Sequence, residues 1–425
     1  MSIQLNIDVR HLTRIEGHGN IRVRIEDGRL QEASWEIVET PRFFEVMLQG
    51  KHYSSVPMLT ARICGICSIG HCLASLRATE QAFGVTIPEA AGELRLLAKH
   101  GETLQSHYLH LFFLAAPDFL GLPSALPLME QAPAVFHRAL HLKGLANRLC
   151  DAAAGRTTHP LSLQVGGVAR IPEKKDLLHL RTELEASLDD LQEMVELFLT
   201  FQIPDFVRET EFVSLRQEGE YAFIGGHIVS SDGVELPETE YQAATNETVT
   251  DHSTSKSCRL SRDSYAVGAL ARVNNNFSLL APQAREVAQL FGLAPVNHNP
   301  FLNNIAQLVE CFHATHMAMR SIDRLLDVTP GTPLMTRVVP RAGEGVGAVE
   351  VPRGVLFHHY EYDQTGRIVR ANCVIPTTQN NADIHAGLAA LARQFAAEGM
   401  TDAEMERLCC MLVRAYDPCI SCAVH

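Results

Sequence analysis

The sequence predicts an α+β fold, mainly α, in which the two ends of the chain must meet. Three observations carry this: apolar residues at three- and four-residue spacing through long stretches of residues 88–201, strict alternation after Asn20, and a Cys-x-x-Cys motif near each end. With 425 residues, 46% hydrophobic and 20% charged, the chain is long enough to bury a large core. Its 36 Lys and Arg stand against 49 Asp and Glu, a formal charge of -13, which argues against a nucleic-acid surface, since phosphate binding needs clustered cations.

Residues 20–26 alternate, with Ile21, Val23 and Ile25 on one face, then Asp27-Gly28 makes a turn and Ala33, Trp35 and Ile37 alternate again; this is a β-hairpin over about residues 20–38. Before it, Arg14-Ile15-Glu16-Gly17-His18 enters the first strand, and Gly17 permits a close backbone approach. A helical bundle is expected over about residues 57–201, with long helices at 88–114, 128–154 and 175–201. The apolar stretch 110–129 is interrupted by Asp118 and three prolines, so it reads as buried core and no membrane insertion is expected. Residues 209–257, with Gly225-Gly226, Asp232-Gly233 and many Ser and Thr, form a β-rich excursion. Asn299-Pro300 starts a helix running to Asp327. It carries Glu310, His313 and His316, but a carboxylate di-iron site needs a second Glu-x-x-His, so a solvated or hydrogen-bonded face is expected. Residues 350–356 and 372–380 read as loops or short strands. Helices at 383–398 and 402–414 then deliver the terminal motif of a C-terminal region that begins near residue 300. One interlocked domain over 1–425 fits better than separable modules.

Eleven cysteines without a basic, apolar leader at residues 1–7 point to thiols or metal rather than to a disulfide framework. Cys72, Cys150, Cys258, Cys311, Cys409 and Cys410 have no partner at ligand spacing and read as packing residues. Cys64-Gly65-Ile66-Cys67 and Cys419-Ile420-Ser421-Cys422 do have that spacing, and four thiolates suit zinc, iron or nickel. Zinc ribbons place their pairs about 15 to 20 residues apart. Here 351 residues lie between Cys67 and Cys419, a reach that favours a site built into a finished core. His71 and His425 follow the two pairs, and spacing leaves open whether they ligate metal, hydrogen-bond a sulfur or stand by.

Arg-x-Cys-Gly-x-Cys-x-x-x-His at residues 62–71, together with Asp-Pro-Cys-x-x-Cys-x-x-His at 417–425, resembles the paired signature of nickel-iron hydrogenase large subunits. The stretches 14–18, 44–50, 159–168, 265–272, 352–356 and 373–377 agree, and the likeness is weakest over 209–257. The resemblance implies that family's large-subunit fold and the interconversion of H2 with protons and electrons. It implies that Cys64, Cys67, Cys419 and Cys422 bind nickel, with Cys67 and Cys422 bridging to an iron that carries CO and cyanide. Glu16 then matches the carboxylate that exchanges a proton with Cys419. Arg353 matches the arginine over the open metal position, with Asp118 and Asp417 as its acidic partners. With a pKa above 12, that guanidinium suits positioning better than proton transfer. Leu356, Ile375, Pro376 and Thr377 match the pocket around the diatomic ligands, Thr377 standing where a serine is common.

By the same resemblance Glu45, the backbone carbonyl of Cys373 and His425 hold a second metal, usually magnesium; carboxylate and carbonyl suit a hard cation better than imidazole does. The resemblance also implies removal of a C-terminal extension after His425. No further cysteine spacing here could hold an iron-sulfur cluster, so electrons must leave through a small subunit that carries such clusters. Residues 376–381, Pro-Thr-Thr-Gln-Asn-Asn, look like cytoplasmic hydrogenases that pass electrons through diaphorase-type or other subunits to NAD(P), a deazaflavin or another carrier. The competing readings are a catalytically silent subunit like the quinone-site subunit of respiratory complex I, against which the four cysteines argue, and a structural zinc protein.

Overall fold

A computed structural model describes residues 4–396 and 398–425, and its architecture is α+β and mainly helical. The expected hairpin is present as strands Gly19–Glu26 and Arg29–Ile37, and Leu5–Val9 pairs antiparallel with the first of them to complete a three-stranded sheet. Ile21, Val23, Ile25 and Trp35 face inward and are fully buried, as the alternation requires.

The bundle is built from helices Ser68–Phe83, Glu89–Leu109, Pro133–Ala154, Lys174–Leu199 and Asn303–Leu326. Two details differ from the sequence reading. The helix expected over 88–114 is α-helical only to Leu109 and continues as a wider π segment, His110–Ala115. The helix expected over 128–154 is broken at Ala132, because Pro133 has no N–H to donate and opens a new helix instead.

The segments read as loops or short strands around residues 350–380 are more regular than expected. Strands Gly343–Val351, Gly354–Tyr362 and Ile368–Val374 form an antiparallel sheet, with Pro352-Arg353 as the two-residue turn between the first two. The helix expected from residue 383 begins at Pro376 and runs to Ala396. Its first turns are rich in Thr and Asn, poor helix formers, but the side chains of Thr377, Gln379 and Asn380 make tertiary hydrogen bonds that override propensity. The excursion at 209–257 contains the expected strands, including Glu211–Arg216 and His227–Ser230. The last long helix, Asp402–Ala415, starts with a capping box between Thr401 and Glu404.

One helix-on-sheet contact sets the site. Gly70, Ala74, Ala78 and Ala82 recur every fourth residue along Ser68–Phe83, and strand Gly343–Val351 lies against them. A Cβ added at Gly343, Gly345 or Gly347 would come 2.4, 2.2 or 2.1 Å from the carbonyl oxygens of Ala82, Ala78 and Ala74. These strand glycines therefore allow helix and strand to touch backbone to backbone. That contact fixes the helix whose N-cap is Cys67, and the turn after the same strand carries Arg353.

No helix among the described residues is long and apolar enough to cross a membrane.

Candidate metal centre

The two Cys-x-x-Cys motifs meet. Cys64 ends the 3-10 turn Ala61–Ile63, and its Sγ accepts from the backbone N–H groups of Ile66 and Cys67 at 3.2 and 3.3 Å. Those donors follow from the loop into helix Ser68–Phe83; Gly65 itself has open space around it. Cys419 and Cys422 sit on the short helix Ile420–Ala423 and its N-cap. Cys64 Sγ lies 3.5 Å from Cys419 Sγ, Cys67 Sγ lies 3.4 Å from Cys422 Sγ, and Cys419 and Cys422 are 2.8 Å apart. All four ligand atoms fall within 4.8 Å of one another, and all four residues are buried.

Four buried thiols this close cannot all ionise unaided. Hydrogen bonds from Cys419, Cys422 and Cys67 hold the Cys64 thiol well below the usual range, whereas burial pushes Cys419 and Cys422 well above it. A soft divalent cation removes the conflict by ligating the thiolates, so the donor set fits nickel and iron. The six cysteines read as packing residues are all buried and free, and burial pushes the Cys72 thiol to about 12 and that of Cys410 to about 11.

Residues far apart in sequence hold the C-terminal pair. Thr377 Oγ1 accepts from the Cys419 N–H at 3.0 Å, the carbonyl of Glu16 accepts from Ile420 N at 3.0 Å, and Glu16 Oε2 accepts from Ser421 N at 2.9 Å. Gly17 is required here: its φ is 83°, and a Cβ would meet Ile420 Cβ at 2.5 Å. The close approach expected of that glycine is thus made to the residue after Cys419. Arg42, which sequence reasoning passed over, donates to the carbonyls of Ile63 and Ser421 through Nη2, and its backbone N–H donates to Val424 O at 2.7 Å. Nothing in the local sequence marks it, because its role lies wholly in joining the two ends.

Arg353 is buried and donates from Nε to Asp417 O at 2.6 Å and from Nη2 to Asp417 Oδ1 at 2.8 Å. The left-handed backbone of Asp417, φ 50°, turns carbonyl and carboxylate toward it, and Gln307 Nε2 donates to Asp417 Oδ2 at 3.3 Å. Buried Nη1 of Arg353 has no hydrogen-bond partner among the described residues. Burial works against its charge, but Asp417 and the neighbouring sulfurs outweigh burial and keep the guanidinium protonated. Asp118 differs from expectation. It is bound by Arg14 and, at 2.8 Å, by Arg414, so its charge is spent on tying residues 13–14 to the last long helix rather than on Arg353.

His71, one turn into the helix after Cys67, is paired at 3.0 Å from Nδ1 to Nε2 of His358, which in turn meets Tyr360 OH at 2.5 Å. Burial takes His71 down to about 4, so it is a neutral imidazole. Leu356, Ile375 and Pro376 are buried on the hairpin and at the start of the helix that carries Thr377.

At the C-terminus, His425 Nδ1 lies 2.9 Å from the carbonyl of Cys422 and its Nε2 lies 3.6 Å from Glu45 Oε1. Glu45 Oε1 also accepts from the Cys373 N–H at 2.8 Å. Burial raises the Glu45 carboxyl, but His425 and that N–H outweigh it and leave a carboxylate. On the helix expected to carry a solvated or hydrogen-bonded face, Glu310 and His313 are buried and hydrogen-bonded into the core: Glu310 binds Arg272 and Tyr221, and His313 Nδ1 accepts from Ala281 N.

Comparison with known proteins agrees with the geometry. A family profile described as "Nickel-dependent hydrogenase" matches residues 42–141 and 220–425, and one described as "HoxL-like" matches residues 6–40. Sulfhydrogenase 1 subunit alpha of Pyrococcus furiosus is 33% identical over 427 residues, covering 100% of this chain and 99% of that protein. NAD-reducing hydrogenase HoxS subunit beta of Cupriavidus necator is 30% identical over 474 residues, covering 100% and 95%. The crystal structure of an NAD+-reducing [NiFe]-hydrogenase in the H2-reduced state superposes with a TM-score of 0.90 at 27% identity, covering 99% of both chains. The chain belongs to the nickel-dependent hydrogenase family and is one of its large subunits, an oxidoreductase acting on H2.

Proposed function

We propose that this large subunit splits and forms H2 with Glu16 as the proton-transferring group and Arg353 as the positioning cation. The observation that carries the reading is that four buried thiols lie within 4.8 Å of one another while Glu16 grips the segment around one of them. Cys64, Cys67, Cys419 and Cys422 would hold a nickel-iron pair, Cys67 and Cys422 serving both metals and the iron carrying CO and cyanide, and that pair would supply the redox-active Lewis acid for heterolysis.

The chain's own residues do the rest. Cys419 receives a proton at Sγ and passes it to a carboxylate oxygen of Glu16, which is half-buried and accepts from the Ser421 N–H two residues beyond Cys419. The unpartnered Nη1 of Arg353 offers a cationic donor beside the neighbouring sulfurs, while its other nitrogens are committed to Asp417. Leu356, Ile375 and Pro376 keep water from the diatomic ligands, with Thr377 as the polar group among them, and neutral His71 supports the Cys67 side. Glu45, the carbonyl of Cys373 and His425 would hold a magnesium-class cation, which would tie down the C-terminus.

Electrons leave through a partner small subunit that carries iron-sulfur clusters. Exposed Arg62 and Gly65, which flank buried Cys64, support docking at that loop. Relatives named as NAD-reducing support a cytoplasmic complex in which further subunits reduce NAD(P) or another soluble carrier.

Glu16→Gln tests the proton role. It should keep full nickel content and the infrared bands of CO and cyanide while slowing H2/D2O exchange by about 10²–10⁴-fold. Normal exchange would remove Glu16 from the mechanism, and absent CO and cyanide bands in the nickel-loaded parent enzyme would remove the proposed iron site.

A further inference from the structure

Arg272, on helix Ala269–Asn276, is fully buried and commits all five of its N–H donors. Nε and Nη2 form a fork on Glu310 at 2.6 and 2.7 Å, Nη1 reaches Glu350 Oε2 at 2.9 Å, and the last two donors go to backbone carbonyls, Val351 O at 2.9 Å and Pro352 O at 3.0 Å. Those carbonyls belong to the two residues immediately before Arg353. The carboxylates are themselves fixed: Glu310 accepts from Tyr221 OH at 2.6 Å, and Glu350 Oε1 accepts from Leu215 N at 2.7 Å.

The same helix touches the turn a second time. Gly268, which precedes it, has φ 122°, and a Cβ there would lie 3.3 Å from Arg353 O; a Cβ on Gly354 would meet Val267 Cγ2 at 2.4 Å. The Pro352-Arg353 turn is thus held by Arg272 and by the two residues, Val267 and Gly268, that lead into its helix. A proton wire through Tyr221 and Glu310 is a poorer account of the cluster, because a carboxylate locked on Arg272 has no tendency to take up a proton. A buried cation with two buried carboxylates is also a costly way to gain stability, which points to specificity of placement.

We propose that Arg272 is a positioning residue for Arg353: by clamping the carbonyls of Val351 and Pro352 it aims the free guanidinium nitrogen of Arg353 over the sulfur cluster. This rests on the role given to Arg353 above.

The test uses the complete enzyme with its small subunit and compares Arg272→Lys, Arg353→Lys and the double variant. Lysine keeps the charge but cannot make the fork and hold two carbonyls together. Arg272→Lys should keep its nickel, show faster hydrogen exchange in the peptide spanning 351–356, and lose about 10- to 100-fold in turnover. The double variant should be no slower than Arg353→Lys, since Arg272 acts through Arg353. Losses that multiply in the double variant, or unchanged exchange at 351–356, overturn the proposal. If Arg272→Lys does not fold, Glu350→Gln, which loosens one partner of Arg272, carries the same expectations. Wild-type turnover in Arg353→Lys would instead defeat the role of Arg353 and leave the exchange result as the measure of the clamp.

Discussion

The two halves of the sulfur site are built in opposite ways. Cys64 and Cys67 are shaped locally: a 3-10 turn, a four-residue loop and a helix N-terminus supply the N–H donors that Cys64 accepts. Cys419 and Cys422 sit on a four-residue helix whose hydrogen bonds outside its own turn run to Glu16, Thr377 and Arg42, residues tens to hundreds of positions away. The first pair is therefore shaped mainly by its own loop and helix start, with Arg42 reaching in to Ile63 O. The second exists only in the finished fold, so the site cannot be completed before the ends of the chain meet.

Removing a sulfur breaks both halves at once and gives the largest effect. Cys422→Ser replaces one soft sulfur of the four-cysteine cluster with a hard hydroxyl in a buried site. Nickel content by elemental analysis and H2 oxidation should both fall to background, and a variant that kept stoichiometric nickel would contradict the shared four-sulfur site. The local half can be attacked at a distance through its helix. Gly347→Ala places a methyl 2.1 Å from Ala74 O, a backbone atom that cannot swing aside. A loss of about 3 kcal/mol in denaturant unfolding is expected, with nickel loading reduced as Cys67 shifts. Gly65→Ala, inside the motif itself but with nothing within 4 Å of the new methyl, should stay within about 0.5 kcal/mol of the parent.

This asymmetry also explains what was legible in the sequence. Ligand spacing, the alternation of Ile21, Val23 and Ile25, and the periodic helices are short-range signals, and each is present, although the π turn after Leu109 and the break at Ala132 shift two helix bounds. The helix start at Pro376 was misread because Thr377, Gln379 and Asn380 look unhelical until their distant partners are known. Asp118 was given to Arg353, but Arg14 and Arg414 reach it first, a competition between cations that no local pattern records. Arg42 and Arg272 are invisible as site residues for the same reason: nothing in a sequence distinguishes an arginine that clamps remote carbonyls from a solvated one.

The remote half yields to a subtler change than the loss of a sulfur. Thr377 Oγ1 is the acceptor for the buried Cys419 N–H at 3.0 Å. Thr377→Val keeps the shape and removes that oxygen, leaving the amide without a partner at a cost of about 1–3 kcal/mol. Because the local pair does not depend on Thr377, the loss should fall on the C-terminal segment alone: faster hydrogen exchange at 417–423, unchanged exchange at 64–70, and faster nickel release to a chelator. Thr377→Ser, which restores the hydroxyl, should restore both measurements. Equal loosening of the two segments in Thr377→Val would mean that the halves are coupled through the protein rather than only through the metal, and the contrast between a local and a remote half would fail.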